Sequence, residues 1–301
     1  MKVLEKTPSQ TQADVNENTY MKKRSMMGET WHRLKKNKLA MVSLAVIIIL
    51  VLCCAFANFI APYEYDAVDF SCCMEYPSLK HLMGTDDYGR DIFSRILYGG
   101  RISLLVALCT VSVSILVSTI LGATAGYFGG WYDNLIMRLT DVFMAIPGML
   151  LAISVCAALG SGIVNTGIAM TICNIPSLTR VVRSSALLLK DQEYIEAAIS
   201  FGSSRKHIIR KHIIPNVLAP IIVQSSLKLG DAILSIAGLS FIGLGIQPPT
   251  PEWGSMLNSG REFIRTFWPM ITFPGIVIAV TMLAFNLLGD GLRDAMDPRL
   301  K

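Results

Sequence analysis

Leu39–Ile60 runs for 22 residues without one charged side chain. A helix rises about 1.5 Å per residue, so a hydrocarbon layer of roughly 30 Å takes about 20 apolar residues. Five further stretches follow the first. Ile102–Ala125 is charge-free, and Val142–Leu159 begins just after Asp141. Ile163–Leu178 is interrupted by Asn165, Asn174 and Pro176. Val217–Ile246 is long and carries Lys228 and Asp231, and Trp268–Leu288 is the last. The expectation is an all-α membrane protein with six transmembrane helices. Composition agrees: 52% of residues are apolar, 16% are charged and the mean hydropathy is +0.49. Soluble domains carry roughly 25% charged residues, so this surface cannot be covered with polar groups. A disordered chain, a nucleic-acid binder and a small disulfide scaffold are excluded.

Lys and Arg set the orientation. Segments on the amino-terminal side hold twenty basic residues and those on the opposite side hold six, leaving Lys228 within a span. Both termini are therefore expected in the cytoplasm. The organisation read from this is a cytoplasmic tail 1–38, a first span 39–60, an extracytoplasmic loop 61–101, a core 102–290 and a cytoplasmic tail 291–301. The core contains a cytoplasmic loop 179–216. Ala55-Phe56-Ala57 resembles a signal-peptidase site, but 38 hydrophilic residues precede the run, so an uncleaved first helix is expected. Trp31 and Leu34 let the end of the tail lie on the lipid surface.

The catalytic inventory is thin. The sequence has no Gly-Lys dipeptide, hence no phosphate-cradling loop, and its four His form no H-E-x-x-H. Gly238-Leu239-Ser240-Phe241-Ile242-Gly243 is one residue too long for a nucleophile elbow. No residues have metal-site spacing. Seven cysteines read as free thiols, with a redox or metal role considered only for the adjacent Cys72 and Cys73. Lys228 and Asp231 share a helical face and can neutralise each other, either as a structural pair or as a pathway-lining pair. Asp141 is expected to pair with Arg138, and Gly122, Gly126 and Gly130 to allow close helix packing.

The loop Thr179–Asn216 is longer than a connection requires. It reads as helix, break, helix. Asp191 is a candidate cap for a helix containing Tyr194-Ile195-Glu196-Ala197-Ala198-Ile199, and Gly202 a helix stop. Ser203 or Ser204 would cap a second helix, Arg205–His212, ended by Pro215. Tyr194, Ile195 and Ile199 are expected to supply apolar contact to a partner. Two alanines leave a smooth face that fits a groove.

Glu196-Ala197-Ala198, Gly202 six residues after the glutamate, and Pro215 together resemble the EAA loop of ABC importer permeases. Gly84-Thr85-Asp86-Asp87-Tyr88-Gly89-Arg90-Asp91, with Tyr98-Gly99-Gly100-Arg101, is similar to the segment before the second span of dipeptide/oligopeptide/nickel permeases. Asn286-Leu287-Leu288-Gly289-Asp290-Gly291-Leu292-Arg293-Asp294-Ala295-Met296-Asp297-Pro298 resembles the carboxy-terminal signature of their second, C-type subunit. The outer loop Gln247–Gly254 agrees. Lys228 and Asp231 are not part of that pattern, and Ile236 stands where many relatives carry an acidic residue.

The resemblance implies a type I importer permease fold in a bacterial or archaeal cytoplasmic membrane. Its partners would be membrane lipid, a second homologous permease subunit, two cytoplasmic ATP-binding subunits and an extracytoplasmic substrate-binding protein. No nucleic acid is involved. The chain itself would bind no cofactor, ATP and Mg residing on the ATPases, and would not be an enzyme. Tyr194, Glu196, Ala197, Ala198, Gly202 and Pro215 would dock on the ATPase. Di- or oligopeptides are the implied substrate, with nickel or another metal chelate as the alternative. A stand-alone channel or secondary carrier, the alternative of another class, would transport alone and show internal repeats, and none is visible.

Overall fold

A computed structural model describes residues 26–296, with side chains from Gly28. The described residues are helical throughout, apart from turns and one isolated bridge between Thr85 and Asp91. α1 (Met26–Lys36) leads into α2 (Lys38–Ala55), whose first turn is capped by Asn37 accepting from the Ala40 N–H at 3.2 Å. The first apolar run is broken at Phe56, after which α3 (Ala57–Ile60) is a single turn. A 3₁₀ turn at Phe70–Cys72 lies in the following loop.

α4 (Ile92–Phe128) starts ten residues before its apolar run. Asp91 is the cause: its Oδ2 accepts the Ser94 N–H and hydroxyl, both at 2.8 Å, fixing the helix start. α5 (Gly130–Met144) and α6 (Gly148–Leu159) meet at 87°, so Val142–Leu159 is not one straight span. Pro147 has no N–H and pushes Ile146 out of the helical region, which breaks the helix there. α7 (Ile163–Lys190) runs twelve residues beyond the expected end at Leu178, carrying Pro176 within it.

α8 (Glu193–Ser200) and α9 (Arg205–Ile208) lie in the loop between α7 and the next long helix. A π turn at Ile209–Ile213 joins α9 to α10 (Ile214–Phe241). Pro215 therefore begins α10 rather than ending the preceding helix; in the first turn the missing N–H costs nothing. α10 stops at Phe241, five residues short of the expected Ile246. α11 (Trp253–Gly260) and a 3₁₀ turn precede α12 (Pro269–Met296), which continues beyond Leu288.

Among the described residues four helices are long and apolar enough to cross a membrane, and the bent α5–α6 pair would make a fifth. α7 is long enough, but Arg180, Arg183 and its polar residues keep it below that criterion. The apolar faces of the spans stay open: Leu39, Val42 and Ile49 of α2 are 64%, 62% and 59% exposed. In water this surface would be untenable, whereas in hydrocarbon it is neutral.

The main core joins α4, α6, α7, α10 and α11 through small and branched side chains such as Ala107, Ala152, Ala169, Ala232 and Ile236. α4 and α7 share the most extensive helix contact. Gly122 and Gly126 allow it, since a Cβ on Gly126 would lie 2.8 Å from the Ala186 Cβ. Gly130 takes no part and starts α5 in open space. Asp141 pairs with Arg180 of α7, not with Arg138.

Candidate functional site: the loop after α7 and a cavity on α10

α8 is not capped by Asp191, which closes α7; Gln192 precedes α8 without a side-chain cap. Its carboxyl end is built more strictly. The Gly202 N–H donates to the Ile199 carbonyl at 2.9 Å and the Ser203 N–H to the Ala198 carbonyl at 3.0 Å. This paired closure needs a left-handed residue at its corner, and Gly202 has φ +77°. Ser204 then caps α9 by accepting the His207 N–H at 3.3 Å.

Ile195 does not face a partner: it is fully buried among Val182 and Ala186 of α7, Ile208, Ile213 and Val217. Ala198 packs half-buried against the same cluster. Glu196, Ala197, Gly202 and Pro215 are exposed. Tyr194 is 43% exposed and lies with its ring 6.2 Å from His212, which in turn is 6.1 Å from His207. Phe201, absent from the residues singled out above, is the most prominent group on the loop, with 90% of its surface open. Its signal in the sequence is weak, because a phenylalanine beside a helix-ending glycine reads as core. The loop is thus a knuckle, seated on the α7–α10 cluster by Ile195 and Ile208 and presenting a smooth edge with one aromatic tip.

Lys228 and Asp231 sit at the middle of α10, Nζ to Oδ2 at 3.8 Å. Both line a cavity of about 270 Å³ between α6, α7 and α10, together with Asn174 and Ser235. The knuckle and this cavity share α7 and α10.

The segment between α3 and α4 is locked by its own charges. Asp86 accepts from Arg90 Nε at 2.7 Å and lies 3.7 Å from Arg95 Nε. Asp91 departs from that cluster and pairs with buried His81 Nδ1 at 2.9 Å. Burial, then the neighbouring Asp86 charge, pushes the Asp87 carboxyl above its ordinary value, whereas the Ser71 hydroxyl and N–H hold Asp69 low. All seven cysteines are free; Cys72 is buried, with its thiol donating to the Asp69 and Gly89 carbonyls. No group of three metal-ligating side chains occurs among the described residues.

An all-helical bundle with outward apolar faces defines an integral membrane protein. The chain belongs to the family of binding-protein-dependent transport system inner membrane components, which its residues 118–301 match. Residues 25–74 match the N-terminal TM domain of oligopeptide transport permease C. It is a peptide-type ABC importer permease of the C kind and not an enzyme; ATP hydrolysis resides in separate subunits. It is 46% identical over 273 residues to the dipeptide transport system permease protein DppC of Alkalihalophilus pseudofirmus, covering 91% of this chain and 90% of the relative. It is 47% identical over 274 residues to the glutathione transport system permease protein GsiD of Escherichia coli, with the same coverage of 91% and 90%. The fold is shared with a chain of the MetNI methionine ABC transporter in an inward-facing conformation, at a TM-score of 0.53 and 16% identity, covering 67% of this chain and 96% of the other.

Proposed function

We propose that the chain is one half of the membrane pathway of an ATP-driven importer of short peptides, moved by cytoplasmic ATPases through the α8 knuckle. In this reading six spans place both termini and the knuckle in the cytoplasm. α7 acts as the fourth span, its polar residues facing protein rather than lipid. The segments 61–101 and 247–267 face an extracytoplasmic binding protein. A second permease chain completes the pathway, and two ATP-binding subunits hold ATP and Mg; this chain supplies neither catalytic residue nor cofactor ligand. The substrate class rests on the dipeptide and glutathione relatives.

The observation that carries the coupling is the seating of the knuckle. Tyr194, Glu196, Ala197, Gly202 and Pro215 stay open for docking, while Ile195 and Ile208 are buried against α7 and α10. Close-packed interiors transmit displacement instead of absorbing it. A push on α8 therefore moves α7 and α10 as rigid bodies, and these two helices wall the cavity holding Lys228 and Asp231.

Gly202→Asp tests this. A side chain at φ +77° strains the turn and places a charge at the docking edge. In the reconstituted complex the variant should insert normally and lose ATP-driven uptake and ATPase stimulation. If both survive, α8 is not the coupling element.

A further inference from the structure

The cavity between α6, α7 and α10 has two features that a purely structural ion pair does not need. The first is looseness. Lys228 and Asp231 stand 3.8 Å apart, beyond the roughly 2.7–2.9 Å of a charge-assisted hydrogen bond, and each is the other's only polar partner among the described residues. The second is Asn174. It lines the cavity from α7 and is 7% exposed, yet its amide Nδ2 has no hydrogen-bond partner among the described residues. A buried donor without an acceptor is costly in place and is satisfied only when something enters.

We infer that this cavity is a terminus-reading subsite for a zwitterionic dipeptide. The ligand's carboxylate takes Lys228, its ammonium takes Asp231, and the Asn174 amide donates to the peptide carbonyl. At about 270 Å³ the cavity lies just below the roughly 300–1,000 Å³ of drug-sized ligand pockets, which suits two residues rather than a long peptide. Met149 and Met170 supply an adaptable wall that tolerates different side chains.

Charge balance explains why the ligand must be zwitterionic. In the empty site Lys228 and Asp231 neutralise each other at mid-helix, where a lone charge is expensive. In the occupied site the two ligand termini replace that contact, so neither state leaves a charge unpaired. A ligand with one blocked terminus frees one side chain and strands the other. The paired resting state also competes with the ligand, which keeps binding weak enough for release.

This inference rests on the permease reading, and the test separates the two. The complex of both permease chains with their ATPases is placed in nanodiscs without binding protein. Equilibrium binding is measured with radiolabelled L-alanyl-L-alanine, its N-acetyl form and its C-terminal amide. Wild type should bind the free dipeptide about tenfold or more tightly than either blocked form, the effect of one lost charged contact. Lys228→Met should abolish discrimination against the amide and keep that against the acetyl form; Asp231→Asn should do the converse. Asn174→Ala should weaken all three probes alike. The double variant K228M/D231N, which leaves no stranded charge, should lose discrimination at both ends, and serves if a single variant does not fold.

Equal binding of the three probes by wild type, no saturable binding, or an equal loss for all probes in each charge variant would overturn the subsite. ATP-driven uptake by the wild-type complex with its binding protein is measured alongside. Uptake without terminus dependence sinks the subsite alone, whereas absence of uptake sinks the permease reading.

Discussion

Gly122 of α4 meets Thr179 of α7 so closely that a Cβ on the glycine would lie 2.7 Å from the Thr179 carbonyl oxygen. The same atom would be 2.7 Å from the Val182 Cβ and 2.9 Å from the Arg183 nitrogen, and two of these three neighbours are backbone that cannot rotate away. Gly122→Ala should therefore cost about 1–3 kcal/mol, the usual penalty for overpacking. Gly148, with nothing within 4 Å of its built Cβ, is the control. Gly148→Ala should be neutral or stabilising by up to about 1 kcal/mol, since alanine is the better helix former. Thermal unfolding of the detergent-solubilised protein reads both, and equal midpoints for the two variants would mean that α4 and α7 do not touch in this way.

Two ion pairs pin α5 to α7, and they should differ in worth. Both Asp133 oxygens accept from Arg183, through Nε and Nη2, with the carboxylate side chain 10% exposed. Asp141 and Arg180 form the second pair with side chains 47% and 46% exposed. Hydrogen bonds to charged groups contribute roughly 1.5–3 kcal/mol when sheltered, against about 0–1 kcal/mol for open pairs. Double-mutant cycles to alanine should return a coupling in the first range for Asp133–Arg183 and near zero for Asp141–Arg180. Comparable couplings would show that burial does not set the difference.

Glu252 makes the fold sensitive to pH. It is fully buried, accepting the Ser255 N–H at 2.9 Å and the Ser103 hydroxyl at 3.2 Å. Burial pushes its carboxyl above the ordinary 4.5, against the lowering effect of hydrogen bonds from Gly254, Ser255, Ser240 and Ser103. The folded protein thus holds this proton more tightly than the unfolded chain. Its share of stability is complete below about pH 4.5 and fades as pH climbs through the elevated value. Glu252→Gln keeps the shape and removes the titration. The unfolding midpoint of wild type relative to this variant should fall steadily as pH rises, while Asp87, common to both, cancels. A difference that stays flat or widens in favour of wild type would refute a raised Glu252.

Much of this architecture is written in the chain, and the rest is not for identifiable reasons. Leu39–Ile60 and Ile102–Ala125 announce themselves because lipid tolerates no charge along such a length. The ten extra residues at the start of α4 are hidden because Arg95 and Arg101 end the apolar run. Arg101 is satisfied across the fold, donating to the Cys54 and Ala55 carbonyls and to Asn58 Oδ1 at 2.6, 2.7 and 2.8 Å, a capping of α2 that no local pattern shows. The break at Pro147 was legible in Ile146-Pro147-Gly148, but hydropathy alone runs straight through it. Ile195 and Ile199 share a helical face by spacing, and only tertiary packing decides that Ile195 is buried and Ile199 is 53% exposed. Asn174 reads as a flaw in a span, and only the fold shows that it lines a cavity with Lys228 and Asp231.

Ile195 and Phe201 separate what holds the knuckle from what it offers. Ile195 is sealed in the α7–α10 cluster, so Ile195→Ala leaves a cavity and should cost roughly 2–5 kcal/mol. Phe201 buries almost nothing, at 90% exposed, so Phe201→Ala should leave the unfolding midpoint within about 0.5 kcal/mol of wild type. If the exposed ring anchors an ATPase groove, that same substitution should lower ATPase association by tenfold or more, as interface aromatics commonly do. The two variants then fail differently. Ile195→Ala should bind the ATPase when folded at low temperature but transmit poorly, stimulating ATPase without matching uptake, because the push is lost in the cavity. Phe201→Ala should lose association and uptake together. Stability by thermal unfolding, association by surface plasmon resonance and uptake in proteoliposomes distinguish them. An Ile195→Ala protein with full coupling would show that α7 and α10 are not driven through this cluster.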